Sequence, residues 1–349
     1  MTRFYSPKFL MAMKDRNGNR PEIFVTMGNR TSGKTFGIVN EILIEEYINK
    51  GRKVGILTRI KDDLGMVADG IFKPVLDLKY PDTIVEEVSR GKYSDIYFVK
   101  GTGENKERTH VGYVLPINRA QSNIKPISGL FSDCDILFRD EFQTDSYVPN
   151  EIEQFKSLHT SVARGGGKAV RYVPVIMASN FLDVLNPYFS AWKIVNQLQP
   201  DTRKFRGNGI VLEIFINDDV QKEQEQSGFN QAFGGTDRDS NIDNMWLLGN
   251  NSCICKPEED WGMSYYLCTV KDENNTYGVR HYPRTGLYYI NYSIDSQCTS
   301  IYNMSINGDL NLPLLKSSHH MKMLKEAFKN GQVRCKDVTC KQMMLTMFV

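Results

Sequence analysis

The sequence predicts an α/β fold, with a central and mostly parallel sheet in the first part of the chain and a second, smaller α/β unit behind it. Three observations carry that expectation. An apolar run at Glu22 to Met27 passes through a glycine-containing turn into a helical stretch at Thr35 to Asn49, then into another apolar run at Lys53 to Thr58, which makes a βαβ unit. Strand-like and helix-like stretches keep alternating to about Ile216. At 349 residues the chain also exceeds what one core usually serves, at a prior of roughly 150 residues per domain.

In the first helical stretch Ile38, Ile42, Leu43, Tyr47 and Ile48 recur at helical spacing, and Gly51 stops it. Asp62 to Leu78 reads as a helix. Ile84 to Val114 alternates polar and apolar residues across glycine-rich breaks, which predicts antiparallel strands inserted in the sheet order. Asp135 to Phe138 reads as a strand, Asn150 to Val162 as a helix and Tyr172 to Ala178 as a strand. From Asn217 to Asn251 the chain turns polar and rich in Gly, Asn, Asp and Gln, which predicts a linker with room for a short helix. The expected domains are therefore 1–216, a linker at 217–250, and 251–349. The last contains three aromatic-rich runs at hairpin spacing, Ser264 to Val270, Thr276 to Tyr282 and Leu287 to Ser293, and a helical Ser317 to Asn330.

A hydrophobic content of 41% with 24% charge is ordinary for a soluble globular protein, and nothing approaches the roughly 20 apolar residues of a membrane span. The N-terminus lacks the apolar core of a secretory signal, so the expected compartment is the cytoplasm. Seven cysteines, an odd number without paired metal-site spacing, read as free thiols. A net charge of +2 carries no global nucleic-acid signature. Lys316, Lys322, Lys325, Lys329, Arg334, Lys336 and Lys341 cluster near the C-terminus, as either a solvated helix face or a phosphate-contacting surface.

Gly28-Asn29-Arg30-Thr31-Ser32-Gly33-Lys34-Thr35 satisfies the phosphate-loop pattern between a predicted strand and a predicted helix, the context its chemistry requires. The glycines let backbone N–H groups encircle a phosphate at the positive end of a helix. Lys34 supplies charge at the β- and γ-phosphates of ATP, and Thr35 offers a hydroxyl to Mg²⁺. The apolar strand ending in Asp140 and Glu141 delivers one carboxylate to the metal and the next to water, so Asp140 is the expected metal ligand and Glu141 the expected base. Arg139 interrupts that strand and is expected either at a half-buried position or paired with a neighbouring acid. Arg164, before Gly165, Gly166 and Gly167, reads as an arginine finger or as a cation satisfying a helix C-terminus. Asn180 follows a strand, either at the nucleotide or in a simple turn. Arg59 ends the strand after the phosphate-loop helix and faces a nucleotide, a neighbouring subunit or solvent.

The order GNRTSGKT, ILFRDEF, YVPNE, a helix ending at Arg164, and MASNFLDVLNPYF resembles the DNA-packaging ATPases of small podophages with short protein-capped linear genomes, compact relatives of the terminase large subunits. The resemblance runs through the whole chain. It implies an ASCE-type P-loop ATPase domain and a reduced, vestigial RNase H-like domain. It further implies Glu141 as the catalytic glutamate, Arg164 as a finger offered to the adjacent subunit, Asn180 as a coupling residue, Arg59 at a basic lid position, and Lys125, near Gln121 and Ser122, as a further trans-acting cation. Implied partners are double-stranded DNA, the portal of a procapsid, further copies of the chain in a ring of five, and a structural RNA, with transient docking on the procapsid and no membrane. One departure matters. The hairpin Tyr277-Gly278-Val279-Arg280-His281-Tyr282 carries no acid, whereas a two-metal nuclease needs converging carboxylates, so nuclease activity is not expected. The competing expectations are a P-loop helicase or DNA-segregation ATPase, and a nucleotide-gated structural adaptor; Glu141 speaks against the last.

Overall fold

Apolar strands alternating with helices must be joined by crossovers, and such crossovers favour parallel neighbours buried on both faces. The computed structural model describes residues 4–101, 106–118, 120–144, 147–164, 170–180, 184, 186–198, 202–232, 251–272, 275–304, 309 and 311–348. Two units emerge, Met1–Ala191 with Pro200–Trp246, and Trp192–Gln199 with Leu247–Val349.

The strands of the first unit are β1 (Ile23–Gly28), β2 (Lys53–Thr58), β3 (Thr83–Ser89), β4 (Ser94–Lys100), β5 (Glu107–Pro116), β6 (Cys134–Arg139), β7 (Val175–Asn180), β8 (Lys204–Arg206) and β9 (Ile210–Phe215). They form one nine-stranded sheet in the order β3-β4-β5-β2-β6-β7-β1-β9-β8. The run from β5 to β9 is parallel throughout. The expected antiparallel strands are present, but β4 and β3 extend one edge of the sheet instead of being inserted within it, and β8 adds an antiparallel strand at the other edge. Leu10, Phe24, Leu43, Phe72, Ile136 and Ile176 are among the residues of one core against this sheet.

The short helix α1 (Lys8–Ala12) precedes β1. After the phosphate loop the chain is α-helical in α2 (Lys34–Gly37), winds as a π-helix over Ile38–Tyr47 and closes in a 3₁₀ turn at Ile48–Lys50. The extent matches the expected helix; the wide winding carried no periodic signal. The helix expected over Asp62 to Leu78 is broken into a 3₁₀ turn at Lys61–Asp63 and α3 (Val67–Lys79). Gly65 takes φ 105° at the break. The Glu87 carboxylate accepts the N–H groups of Gly65 at 2.5 Å and Ala68 at 2.8 Å, capping α3 from a distant strand. Helix α4 (Glu151–Val162) falls where expected, followed by α5 (Pro187–Ala191). The polar stretch after β9 holds two helices, α6 (Asp218–Glu225) and α7 (Gly228–Ala232), and its remainder, 233–250, lies outside the described residues.

In the second unit β10 (Tyr265–Lys271), β11 (Thr276–Tyr282) and β12 (Leu287–Asn291) make an antiparallel meander. Two strands of three residues, β13 (Ile301–Asn303) and β14 (Val333–Cys335), add in parallel beside β10 and β12. Both are too short to show a period in the sequence. Helix α8 (His319–Lys329) is capped by Ser318, whose Oγ accepts the Met321 N–H at 3.1 Å. It buries Met321, Leu324 and Ala327 while exposing Lys322, Lys325 and Lys329, so part of the C-terminal basic run is the outer face of an amphipathic helix. Helix α9 (Val338–Phe348) closes the unit, as does a turn at Val195–Gln197 that the chain contributes from between β7 and β8.

Two glycines test the packing with opposite signs. A Cβ on Gly112 of β5 would stand 2.0 Å from the Val54 carbonyl oxygen, whereas one on Gly70 of α3 meets nothing within 4 Å. Gly112→Ala should cost about 3 kcal/mol, and Gly70→Ala should add roughly 0.5–1 kcal/mol through helix propensity. Denaturant midpoints of the two variants check both signs.

Candidate active site

Strand β1 delivers Gly28 to the carboxyl edge of the sheet, in register with Asn180 on β7 and Phe215 on β9. A Cβ on Gly28 would lie 2.0 Å from the Phe215 carbonyl oxygen, so this position needs glycine for space. The loop then turns through left-handed Thr31 at φ 62° and Gly33 at φ 84°. Asn29, expected among the phosphate contacts, directs its side chain elsewhere: it is buried, donates to the Asn217 carbonyl at 2.8 Å and accepts the Asn217 N–H at 3.1 Å. Its amide thereby ties the loop to the chain just beyond β9. Ser32 Oγ donates to the Asn29 carbonyl at 2.8 Å and holds the loop closed. Arg30 and Thr31 are exposed at its rim.

Lys34 is buried beneath this loop. Its Nζ donates to the Asn29 carbonyl at 2.8 Å, Ser32 Oγ at 3.1 Å, Asn180 Oδ1 at 3.2 Å and the Gly28 carbonyl at 3.3 Å. The strand-tip asparagine is thus joined to the loop lysine. An N-terminal segment outside the phosphate-loop pattern also borders the loop. The Tyr5 N–H donates to the Ser32 carbonyl at 3.1 Å, and the exposed Phe4 ring stands 3.1 Å from where a Gly33 Cβ would be. Nothing in the local sequence there suggests contact with residues some 28 positions downstream.

Thr35 Oγ1 donates to Asp140 Oδ2 at 2.7 Å, so the two expected metal ligands are side by side. Asp140 Oδ1 in turn accepts the Glu141 N–H at 3.0 Å. Glu141 has φ 48°, a left-handed conformation that a non-glycine residue rarely takes, and its side chain is exposed. A cavity of about 200 Å³ lies at the carboxyl ends of β2 and β6, with Thr58, Arg59, Asp63, Arg139, Asp140 and Glu141 in its lining.

Arg139 is fully buried and paired, as one of its two expected readings had it. Its Nη2 donates to Glu151 Oε1 at 2.6 Å, and Glu151 at the head of α4 is itself buried. Arg59 is occupied within its own chain: Nε donates to Glu151 Oε2 at 3.2 Å and Nη2 to the carbonyls of Phe142 at 3.0 Å and Glu141 at 3.4 Å. It remains partly exposed, in the lining of the cavity beside Asp140 and Glu141. Lys125 is exposed at the start of a 3₁₀ stretch, Lys125–Phe131, and the Gln121 side chain lies outside the described residues. Arg164 is exposed just past α4, while Gly165, Gly166 and Gly167 lie outside the described residues.

Burial pushes Lys34 down to about 8, opposed by the nearby carboxylates of Asp140 and Glu141, and burial raises Asp140 above the usual carboxylate range. For an amine whose folded value lies below its ordinary 10.5, the unfolded chain binds more protons between the two values, so stability rises with pH across that window. The nucleotide-free chain should therefore gain stability from about pH 8 to about pH 9, and Lys34→Met should flatten that gain. Melting temperatures of both proteins across this interval measure it.

The model of the podovirus DNA encapsidation protein (Gp16) family matches residues 2–349. The DNA packaging protein of Bacillus phage phi29 is 26% identical over 344 residues, covering 95% of this chain and 92% of that protein. That of Bacillus phage B103 is 22% identical over 319 residues, covering 88% and 90%. A chain of the bacteriophage phi-29 viral genome packaging motor assembly shares the fold at a TM-score of 0.66 and 20% identity, over 99% of this chain and 98% of that one. With the match spanning nearly every residue, this chain belongs to the podovirus DNA encapsidation protein (Gp16) family.

Proposed function

We propose that this chain is the ATPase of a viral DNA-packaging motor, hydrolysing ATP to drive double-stranded DNA into a procapsid. The observation that carries the reading is the 2.7 Å contact of Thr35 with Asp140, which unites phosphate loop and carboxylate pair in a chain of an encapsidation family. The curated relatives are named DNA packaging proteins, and the solved relative is a packaging motor assembly. Strand β7 between β1 and β6 supports an ASCE-type ATPase domain. The meander β12-β11-β10 with β13 parallel to β10 supports a reduced RNase H-like domain in the second unit, and the acid-free strand β11 supports its lack of nuclease activity. Active sites completed at subunit interfaces of a ring docked on the portal, with Arg164 supplied by the neighbour, complete the proposal.

The donor set fits a magnesium nucleotide. A glycine-lined loop at a helix start presents N–H groups to phosphate, the buried Lys34 adds positive charge, and Thr35 and Asp140 offer the hard oxygens that Mg²⁺ prefers. Bound there, Mg²⁺ would neutralise charge on the phosphates. Lys34 exchanges its loop carbonyls and Asn180 for phosphate oxygens, and Asn180 thereby registers whether that exchange has occurred. Glu141 accepts the proton of the attacking water. A backbone motor should hold DNA through phosphates and not base edges, since it must move any sequence.

In a procapsid assay, the wild-type chain with ATP should protect DNA from nuclease. Lys34→Ala should lose nucleotide affinity, whereas Glu141→Gln should keep affinity and lose both turnover and protection, because only the first removes a ground-state phosphate contact. Normal hydrolysis by Glu141→Gln would remove the catalytic assignment.

Arg164→Ala should leave ATP binding near normal and slow turnover by on the order of 10³-fold, as for arginine fingers. Mixing it with Lys34→Ala subunits should restore part of the activity, since some interfaces then pair an intact Lys34 site with an intact Arg164. Rings shown to be mixed but wholly inactive would argue for a cis role.

A further inference from the structure

Glu151 is a buried carboxylate with four donors. Oε1 accepts from Arg139 Nη2 at 2.6 Å and the Tyr188 hydroxyl at 2.8 Å, and Oε2 accepts from Arg59 Nε at 3.2 Å and the Val148 N–H at 3.1 Å. Each guanidinium leads to the carboxylate pair by a different route. Arg139 immediately precedes Asp140 in β6. Arg59, just past β2, directs Nη2 to the carbonyls of Glu141 and Phe142. Those are the peptide groups that follow the left-handed Glu141, and the next N–H, that of Phe142, donates to the Ala178 carbonyl of β7 at 3.2 Å.

We propose that Glu151 is a positioning residue for Glu141: it holds Arg59 so that the guanidinium clamps the Glu141–Phe142 backbone and keeps the base in its left-handed placement. This rests on the reading of Glu141 as the water-activating base. Two guanidiniums beside each other repel unless an anion lies between them, and here Arg59 stands over the Tyr147 ring and Arg139 over the Tyr188 ring with Glu151 between them. A strained φ persists only when its surroundings over-determine it, and here the Arg59 donors and the β7 contact supply that restraint. None of the four donors to Glu151 belongs to the phosphate loop, so its loss should act on the chemical step and not on nucleotide binding. It is also the first residue of α4, so the clamp on the base and the helix that ends before Arg164 share one anchor.

Full-length Glu151→Gln and Arg59→Gln should each lower kcat by on the order of 10²-fold, the scale of general base catalysis, with KM for MgATP within about threefold of wild type. The double variant should be no slower than the slower single within about threefold, because both remove one clamp; independent structural damage would multiply instead. Arg59→Lys keeps the charge beside Glu151 but lacks the fork that reaches the carbonyls, so it should remain as slow as Arg59→Gln. Mixing Arg59→Gln with Lys34→Ala subunits should give no rescue, since Arg59 serves its own chain. Should Glu151→Gln fail to fold, the two Arg59 variants and the mixing carry the test. The proposal is overturned by folded variants with kcat within threefold of wild type, by a loss carried in KM, by full recovery in Arg59→Lys, or by rescue on mixing. Glu141→Gln assayed beside them separates the two readings. If it turns over normally, the assignment of the base fails; if it is inactive while the clamp variants are normal, only the positioning role fails.

Discussion

The arrangement depends first on one topological constraint, the placement of β7 between the strand that ends in the phosphate loop and the strand that ends in Asp140. Neighbouring strands lie roughly 4.8 Å apart, so the ends of β1 and β6 are separated by about 10 Å. That gap is too wide for direct contact between strand tips. It is crossed because the loop folds back over the edge and starts its helix at Lys34, bringing Thr35 to Asp140. The same interval places Asn180, at the tip of β7, where it meets the lysine. Parallel register does the rest, since a slip of one residue would turn each of these side chains to the opposite face.

Charge at this edge is arranged in two layers. The outer layer, Lys34 with Asp140 and Glu141, is incomplete by itself: Lys34 is held by carbonyls and amides that a phosphate could replace, and burial disfavours the charged forms of both Lys34 and Asp140. The inner layer is Arg139 and Arg59 around Glu151, joined at 2.6 Å and 3.2 Å, and none of its bonds runs to the loop. In the proposed reaction such a division is useful, because the groups that would exchange partners are carried by groups that would not. Removing Glu151 would leave the buried Arg139 without its counter-ion, which is the expensive way to break an ion pair, whereas removing Arg59 leaves Glu151 paired with Arg139.

Much of this was legible in the sequence. The phosphate loop, Asp140 and Glu141 are short-range patterns whose chemistry fixes their spacing, and the strand and helix beside them have strong periods. The edge strands β3 and β4 were legible as strands but not in their place, because sheet order is set by pairing between distant segments. Glu151 escaped for the same reason. At the start of α4 it reads as an ordinary acid favoured by the helix dipole, and only tertiary structure shows two arginines from β2 and β6 converging on it. Arg139 gave the single hint, as a charge inside an otherwise apolar strand. The contact of Tyr5 with Ser32, and the departure of Val195–Gln197 into the second unit, left no local trace at all.

Helix α4 turns these local facts into an argument about where Arg164 can act. Its head is held to the carboxyl end of β6 through Glu151 and Arg139. Its tail is held to the opposite end of the same strand, because Arg171 Nη2 donates to the carbonyls of both Val162 and Cys134 at 3.0 Å. The helix therefore runs back along β6, away from the nucleotide loop. Its 12 residues at about 1.5 Å each cover roughly 18 Å. An arginine side chain just beyond that tail cannot span such a distance back to its own loop while both ends stay fixed. With α4 anchored in this way, the proposed role of Arg164 in hydrolysis points to a site on another chain, and Glu151, which holds the head of the helix, is the residue that the two proposals share.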